Sequence, residues 1–184
     1  MVKAYLFESE RLGFRNWIES DVEHMIAINQ DTEVMKYFPS IPNAEQTKDF
    51  VVEMQTLFDA KGFCYFAVDT LATGEFIGFI GISEKDFEAD FTPCLDIGWR
   101  LKRSAWNKGF ATEGAKRCLQ YAFEELQLST INSIAPKINE PSIAVMKKIG
   151  MKFVKNFDHP LLPGDGRLQH CVLYEIHSAA PGNF

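Results

Sequence analysis

Positive charge is scarce in this 184-residue chain: 19 Lys and Arg stand against 25 Asp and Glu, a net charge of −6. That balance argues against direct nucleic-acid binding. The four cysteines, Cys64, Cys94, Cys118 and Cys171, are scattered, with no C-x-x-C pair and no His at ligand spacing. Neither a disulfide framework nor a structural zinc site is expected, and no metal ligand is assigned. No run approaches the roughly 18 apolar residues of a membrane span, and residues 1–25 lack the basic-then-apolar pattern of a secretory signal. No membrane partner is therefore expected, and the cytoplasm is the expected location. Neither G-x-x-x-x-G-K-[ST] nor G-x-G-x-x-G occurs, which removes the Walker loop and the dinucleotide fingerprint. Repeats, low-complexity tracts and linkers are lacking as well. Residues 1–184 thus read as one domain, with a core over about residues 8–176 and a flexible tail at 177–184.

What is present suits a soluble globular protein: 46% apolar residues, sixteen Phe and three Trp, enough for a sizeable core. The charge is unevenly divided. Residues 1–99 hold seven basic against eighteen acidic side chains, residues 100–155 eleven against four, and residues 156–184 one against three. An acidic chain has gathered its positive charge in one block. Such a block is either a solvated helical face or a site for a compact anion.

The periodicity gives a mixed order of elements. Glu10–Trp17 alternates as a first strand. Ser20-Asp21-Val22-Glu23 has the form of a capping box opening a helix through Met25 and Asn29. A second helix starts near Asn43, after Pro39 and Pro42, and stops at Gly62. Phe63–Val68 and Glu75–Ile82, with turn residues between them, form a hairpin. Leu95–Leu101 follows as the fourth strand, in which Pro93 and Gly98 point to a bulge. Ala111 to Leu128 carries a helical apolar stripe through Ala115, Cys118 and Leu119. A fifth strand, Ile131–Ala135, leads to a helix capped by Asn139 and ended by Gly150, and two strands near Lys152–Phe157 and Arg167–Ile176 close the chain. This is an α+β (mixed α/β) order.

The chemistry concentrates at Trp99–Gly114. A strand ends, and Gly109 stands at the entrance of a helix whose first N–H groups are unpaired and carry roughly half a positive charge. Gly109 lets an anion approach the backbone, while Arg103 and Lys108 add formal charge. The arrangement suits a pyrophosphate.

Trp106-Asn107-Lys108-Gly109-Phe110-Ala111-Thr112-Glu113 resembles the acyl-CoA pyrophosphate loop of the GNAT superfamily of N-acyltransferases, and more narrowly its RimJ/RimL branch. Three further stretches match that branch: Glu10 to Arg15, Thr73 to Gly78, and Asn139-Glu140-Pro141-Ser142 leading to Lys148-Ile149-Gly150-Met151-Lys152-Phe153. The resemblance spans roughly residues 8–176. It implies a strongly twisted, mostly antiparallel sheet of about seven strands, splayed between the fourth and fifth and flanked by about four helices. Pantetheine would lie in the split against backbone groups of Trp99, Arg100 and Leu101. Arg103, Asn107, Lys108, Gly109, Phe110, Ala111 and Thr112 would hold the pyrophosphate. Asn139 and Lys148 complete the cofactor set, and Ser142 lies where it could reach the sulfur.

The implied function is acetyl-CoA-dependent N-acetylation of a primary amine by direct transfer in a ternary complex. The acceptor is a ribosomal or other protein N-terminus, or a small cationic amine, and a homodimer is an open option. The site must deprotonate an ammonium, donate a main-chain N–H to an oxyanion and protonate a thiolate. Asp96, on the fourth strand, is the first candidate for the base, with Glu84, His159 and Glu175 as alternatives. Relatives often carry a Tyr as acid where this chain has Met146, which transfers that task to Ser142 or water. Asn107 stands where relatives often have Gly, so a left-handed backbone is expected there. Trp17, Tyr37 and Phe38 are candidates for the acceptor wall. Cys118 and Cys171 read as packing residues, against an acyl-cysteine route. Two rival readings keep the anion site without the chemistry: a non-catalytic acyl-CoA-binding sensor or interaction module, and a nucleotide-phosphate binder.

Overall fold

Eight strands and four helices account for the architecture of the computed structural model, which describes residues 4–178. The strands are β1 (Phe7–Glu8), β2 (Leu12–Arg15), β3 (Tyr65–Thr70), β4 (Glu75–Lys85), β5 (Cys94–Leu101), β6 (Thr130–Pro136), β7 (Lys152–Asp158) and β8 (His170–His177). The helices are α1 (Asp21–Gln30), α2 (Ala44–Lys61), α3 (Phe110–Gln120) and α4 (Glu140–Lys148). They build the expected α+β fold, with a single sheet in the order β1-β2-β3-β4-β5-β6-β8-β7. The additional strand is β1, too short at two residues to show a period. The expected tail falls at its last six positions, 179–184, outside the described residues.

Pairing is antiparallel except between β5 and β6, which run parallel and share one ladder pair, Asp96↔Asn132. There the sheet splays, between the fourth and fifth strands of the sequence reading. The register of β4 against β5 runs unbroken from Gly78↔Leu101 to Lys85↔Cys94, so the bulge expected in β5 is not there. It lies instead on β4, where the register with β3 shifts between Val68 and Asp69. Gly98 has a different reason: a Cβ there would stand 3.2 Å from the Tyr65 ring, so glycine admits the close approach of that aromatic.

The other correction is at α1. Ser20 makes no side-chain capping bond. Asp21 has been drawn inward, where it accepts from the Ile18 amide at 2.9 Å and from Arg15 at 2.6 and 2.9 Å. Arg15 also binds Asp69 on β3 at 2.7 and 2.9 Å. This buried ion cluster joins β2, α1 and β3 and outweighs the local capping preference. α2, by contrast, has a complete capping box, with Asn43 and Gln46 exchanging bonds of 2.8 and 2.9 Å.

Side chains alternate across the sheet. Phe79 packs at a tilt against Phe50 of α2, whereas Ile80 meets Gly114 of α3, so α2 and α3 lie on opposite faces. The core runs through both, with Leu12, Phe14, Ile80, Ile82 and Ile131 fully enclosed.

Candidate active site

The open end of the split lies where β5 and β6 finish. Lys102 donates its N–H to Ile77 on β4 at 2.9 Å, and the Ile97 carbonyl accepts from Ser133 on β6 at 3.0 Å. By alternation, Trp99 and Leu101 aim their backbone groups into the split, while those of Arg100 aim at β4. The Leu101 carbonyl takes the Trp106 indole N–H at 2.8 Å, which ties the following loop back to the strand.

That loop turns sharply into α3. Asn107 at φ 58° takes the left-handed backbone, and Gly109 follows at φ 81° as the residue capping α3. The amides of the first turn of α3 therefore open beside the exposed Lys108. Arg11 braces the turn from β2's approach, a role the sequence did not disclose. Its guanidinium donates to the Lys108 carbonyl at 3.0 Å and to Glu113 at 2.7 Å, and lies 4.7 Å from the Phe110 ring centre. Burial acts to raise the Glu113 pKa, but bonds from Ser9 and Arg11 outweigh it and leave the group lowered. A Cβ on Gly109 would approach Arg11 Nη2 to 3.4 Å. A bare peptide edge, a helix N-terminus and two cations at the mouth of a split strand pair fit a diphosphate with a long amide-bearing arm.

Of the other residues expected here, Phe110, Ala111 and Thr112 form the first turn of α3. Asn139 caps α4 and accepts from the Ser142 amide at 3.2 Å, so both stand at the N-terminus of α4. Arg103 turns away to Asp31, 3.1 Å distant. Lys148 lies at the C-terminal end of α4, about 9 Å along the axis from Ser142.

The opposite face carries acid. A cleft of about 1090 Å³ opens between α2 and the closed end of the split, lined by Glu53, Glu84, Asp86 and Glu175 among others. Ser83 and Asn132 also line it, and both are register partners of Asp96. Asp96 thus lies between them in the sheet, buried behind the lining. Its carboxylate accepts from the Tyr65 hydroxyl at 2.7 Å and the Ile134 amide at 3.0 Å. Burial raises its pKa, partly countered by Lys85 and these two bonds. Glu84 pairs with Lys61 and Glu175 with His177. His159 packs at a tilt against Phe87 and is not among the lining residues of the cleft, and burial with nearby Lys85 lowers its pKa. Trp17 is a core residue whose indole donates to the Tyr65 carbonyl at 2.6 Å, whereas Phe38 covers Arg100. Met146 is buried. All four cysteine thiols are pushed up by burial, which disfavours the thiolate.

Known proteins combine these features. The acetyltransferase (GNAT) domain family matches residues 11–152. An uncharacterized N-acetyltransferase of Bacillus subtilis, YnaD, is 30% identical over 145 residues, 78% of this chain and 81% of its own length. The crystal structure of a GNAT-family acetyltransferase from Bacillus anthracis agrees at a TM-score of 0.77 and 28% identity, over 92% of this chain and 96% of that one. A spermidine N-acetyltransferase from Vibrio cholerae, in complex with CoA and spermine, shares the fold at 17% identity, with a TM-score of 0.72 over 91% and 95% of the two chains. With its split sheet, its glycine-capped loop and a family match over most of its length, the chain belongs to the GNAT acetyltransferases.

Proposed function

We propose that this acyltransferase moves an acetyl group from acetyl-CoA directly onto a primary amine, in a ternary complex, and that it stands in the RimJ/RimL-type branch. The carrying observation is the left-handed Asn107–Gly109 turn at the N-terminus of α3, placed at the mouth of the β5–β6 split. Acetyl-CoA supplies the activated acyl group. The amides from Lys108 to Thr112, with Lys108 and Arg11, bind its diphosphate; Trp99 and Leu101 align its arm through their backbone groups. Ser142, half-buried in the first turn of α4, is the proton donor, because Met146 offers none.

The acceptor enters on the other face, through the cleft above Asp96. Glu53, Glu84, Asp86 and Glu175 give that cleft a negative potential that draws an ammonium. Asp96 takes the proton, directly or through one water. The raised pKa suits it, since a carboxylate nearer neutrality is the stronger base. A protein N-terminus and a small cationic amine both have this chemistry. A cytoplasmic location agrees with four free cysteines.

The test mixes protein, acetyl-CoA and a panel of primary amines (polyamines and short peptides with free N-termini) and follows thiol release with product mass. Acetylated amine and thiol in equal amounts are expected. Gly109→Asp should weaken CoA binding at least tenfold, with Gly109→Asn as the control that carries the same φ cost without the charge. Unchanged CoA affinity in Gly109→Asp would overturn the cradle, and binding without turnover on any amine would favour the sensor.

A further inference from the structure

Two arginines of this protein are drawn in from solvent, Arg15 fully buried and Arg100 half-buried, and they are treated differently. Arg15 is held by two aspartates. Arg100 has no ion-pair partner among the described residues. Its guanidinium lies 4.0 Å from the Phe38 ring centre and 5.4 Å from that of Phe79, and Nη1 donates to Asn29 Oδ1 at 2.7 Å. Nε is enclosed with no acceptor, and Nη2, which is not enclosed, meets none among the described residues. Burial lowers the pKa to about 10, with Tyr65 nearby acting in the other direction.

Even a half-buried cation without an anion is costly, and an orphaned N–H adds to that cost. Packing against two rings does not explain the residue, since a ring face offers nothing to Nε, and an uncharged side chain would fill the same space. The nitrogen of the guanidinium left open is Nη2, since Nε beside it is enclosed. A carboxylate oxygen at Nη2 accepts a charge-assisted hydrogen bond. A single cation with aromatic neighbours fits a monoanion better than a phosphate, which favours several donors.

The location gives the anion its role. Arg100 and Asp96 project from the same face of β5, four residues apart, so their Cα atoms are separated by about 13 Å. This is the acceptor's face in the reading above. We propose that Arg100, positioned by Asn29 and Phe38, binds the carboxylate of an acceptor that carries both an amine and a carboxylate. Its amine occupies the acidic cleft at Asp96. This inference rests on the acetyltransferase reading and narrows the acceptor from amines in general to amino carboxylates with an extended span.

The probes are ω-amino carboxylates from glycine to 8-aminooctanoate, each paired with its primary amide, which keeps size and loses charge. ¹⁵N-labelled protein saturated with CoA is titrated while the Arg100 Nε–H resonance, assigned by its loss in Arg100→Lys, is followed. The longer carboxylates should shift it saturably, with the matched amides at least tenfold weaker. With acetyl-CoA, the kcat/KM ratio of carboxylate to amide should exceed ten and fall toward one in Arg100→Gln, with Arg100→Lys intermediate. No saturable shift, or equal shifts by acids and amides, overturns the proposal. The CoA-induced rise in melting temperature, measured on the same sample, separates the two failures: if it persists while the carboxylates have no effect, only this inference falls.

Discussion

Asp96 is a charge in an unfavourable place. Its folded pKa is raised by burial, so the native state holds the proton more tightly than the unfolded chain. Its contribution to stability is therefore greatest at low pH and is lost as pH rises through the folded value. Asp96→Asn keeps an acceptor for the Ile134 amide and removes the buried charge. It should be at least as stable as the parent at neutral pH in urea melts, yet lose about 10²–10⁴ in kcat as a general base is removed. Tyr65→Phe gives an independent check. The Tyr65 bond lowers the Asp96 pKa, so its loss raises that pKa further and should move the acid limb of the pH–rate profile upward. A limb that stays in place would remove Asp96 as base. The residue was a candidate through the family resemblance, by its place on the fourth strand; its partners, 31 and 38 positions away, were not legible. Strand alternation explains Arg100. It was grouped with Trp99 and Leu101 as a neighbour in sequence, but the pleat sends its backbone and side chain elsewhere.

At the level of elements, local signals were legible where local forces decide. The Asn43 start and the Gly62 stop of α2 were legible because nothing distant competes for those positions. Asp21 shows the converse, since Arg15 and the Ile18 amide claim its carboxylate and draw it inward, away from the capping pattern. The loop entering α3 was legible through Gly109 and Asn107, whose backbone demands are intrinsic. Its brace was not, because Arg11 lies 97 positions before the Lys108 carbonyl that it binds. Arg11→Ala should thus change stability by less than about 1 kcal/mol, as expected for an exposed pair. It should still weaken CoA binding roughly threefold to tenfold, because the turn loses its support and the diphosphate loses a charge. Glu113→Gln keeps the cation and its bond to the Lys108 carbonyl while removing the ion pair that orients it, so calorimetry on both variants separates the charge from its orientation. Wild-type affinity in both would show that the turn holds itself.

Over the whole molecule, the sheet is two parts, β1–β5 and β6–β8, joined by one ladder pair and by the bonds of Asp96 and Ser133 around it. A ligand that fills the split acts as a further strand between them. CoA at a hundredfold excess over its Kd should add about 2.7 kcal/mol, a rise in melting temperature of roughly 5–11 °C for a chain of this size. A rise alone would follow from binding anywhere, so the sharper test is where protection appears. In β5 the amides of Gly98 and Arg100 are committed to β4, whereas those of Trp99 and Leu101 face the split. CoA should therefore slow hydrogen exchange strongly at Trp99 and Leu101 and leave Gly98 and Arg100 nearly as slow as before. Two-residue alternation of that kind can arise only if the ligand pairs with the strand's open edge. Uniform protection along β5 would instead mean that CoA tightens the sheet from outside, and the split would then have no part in holding it.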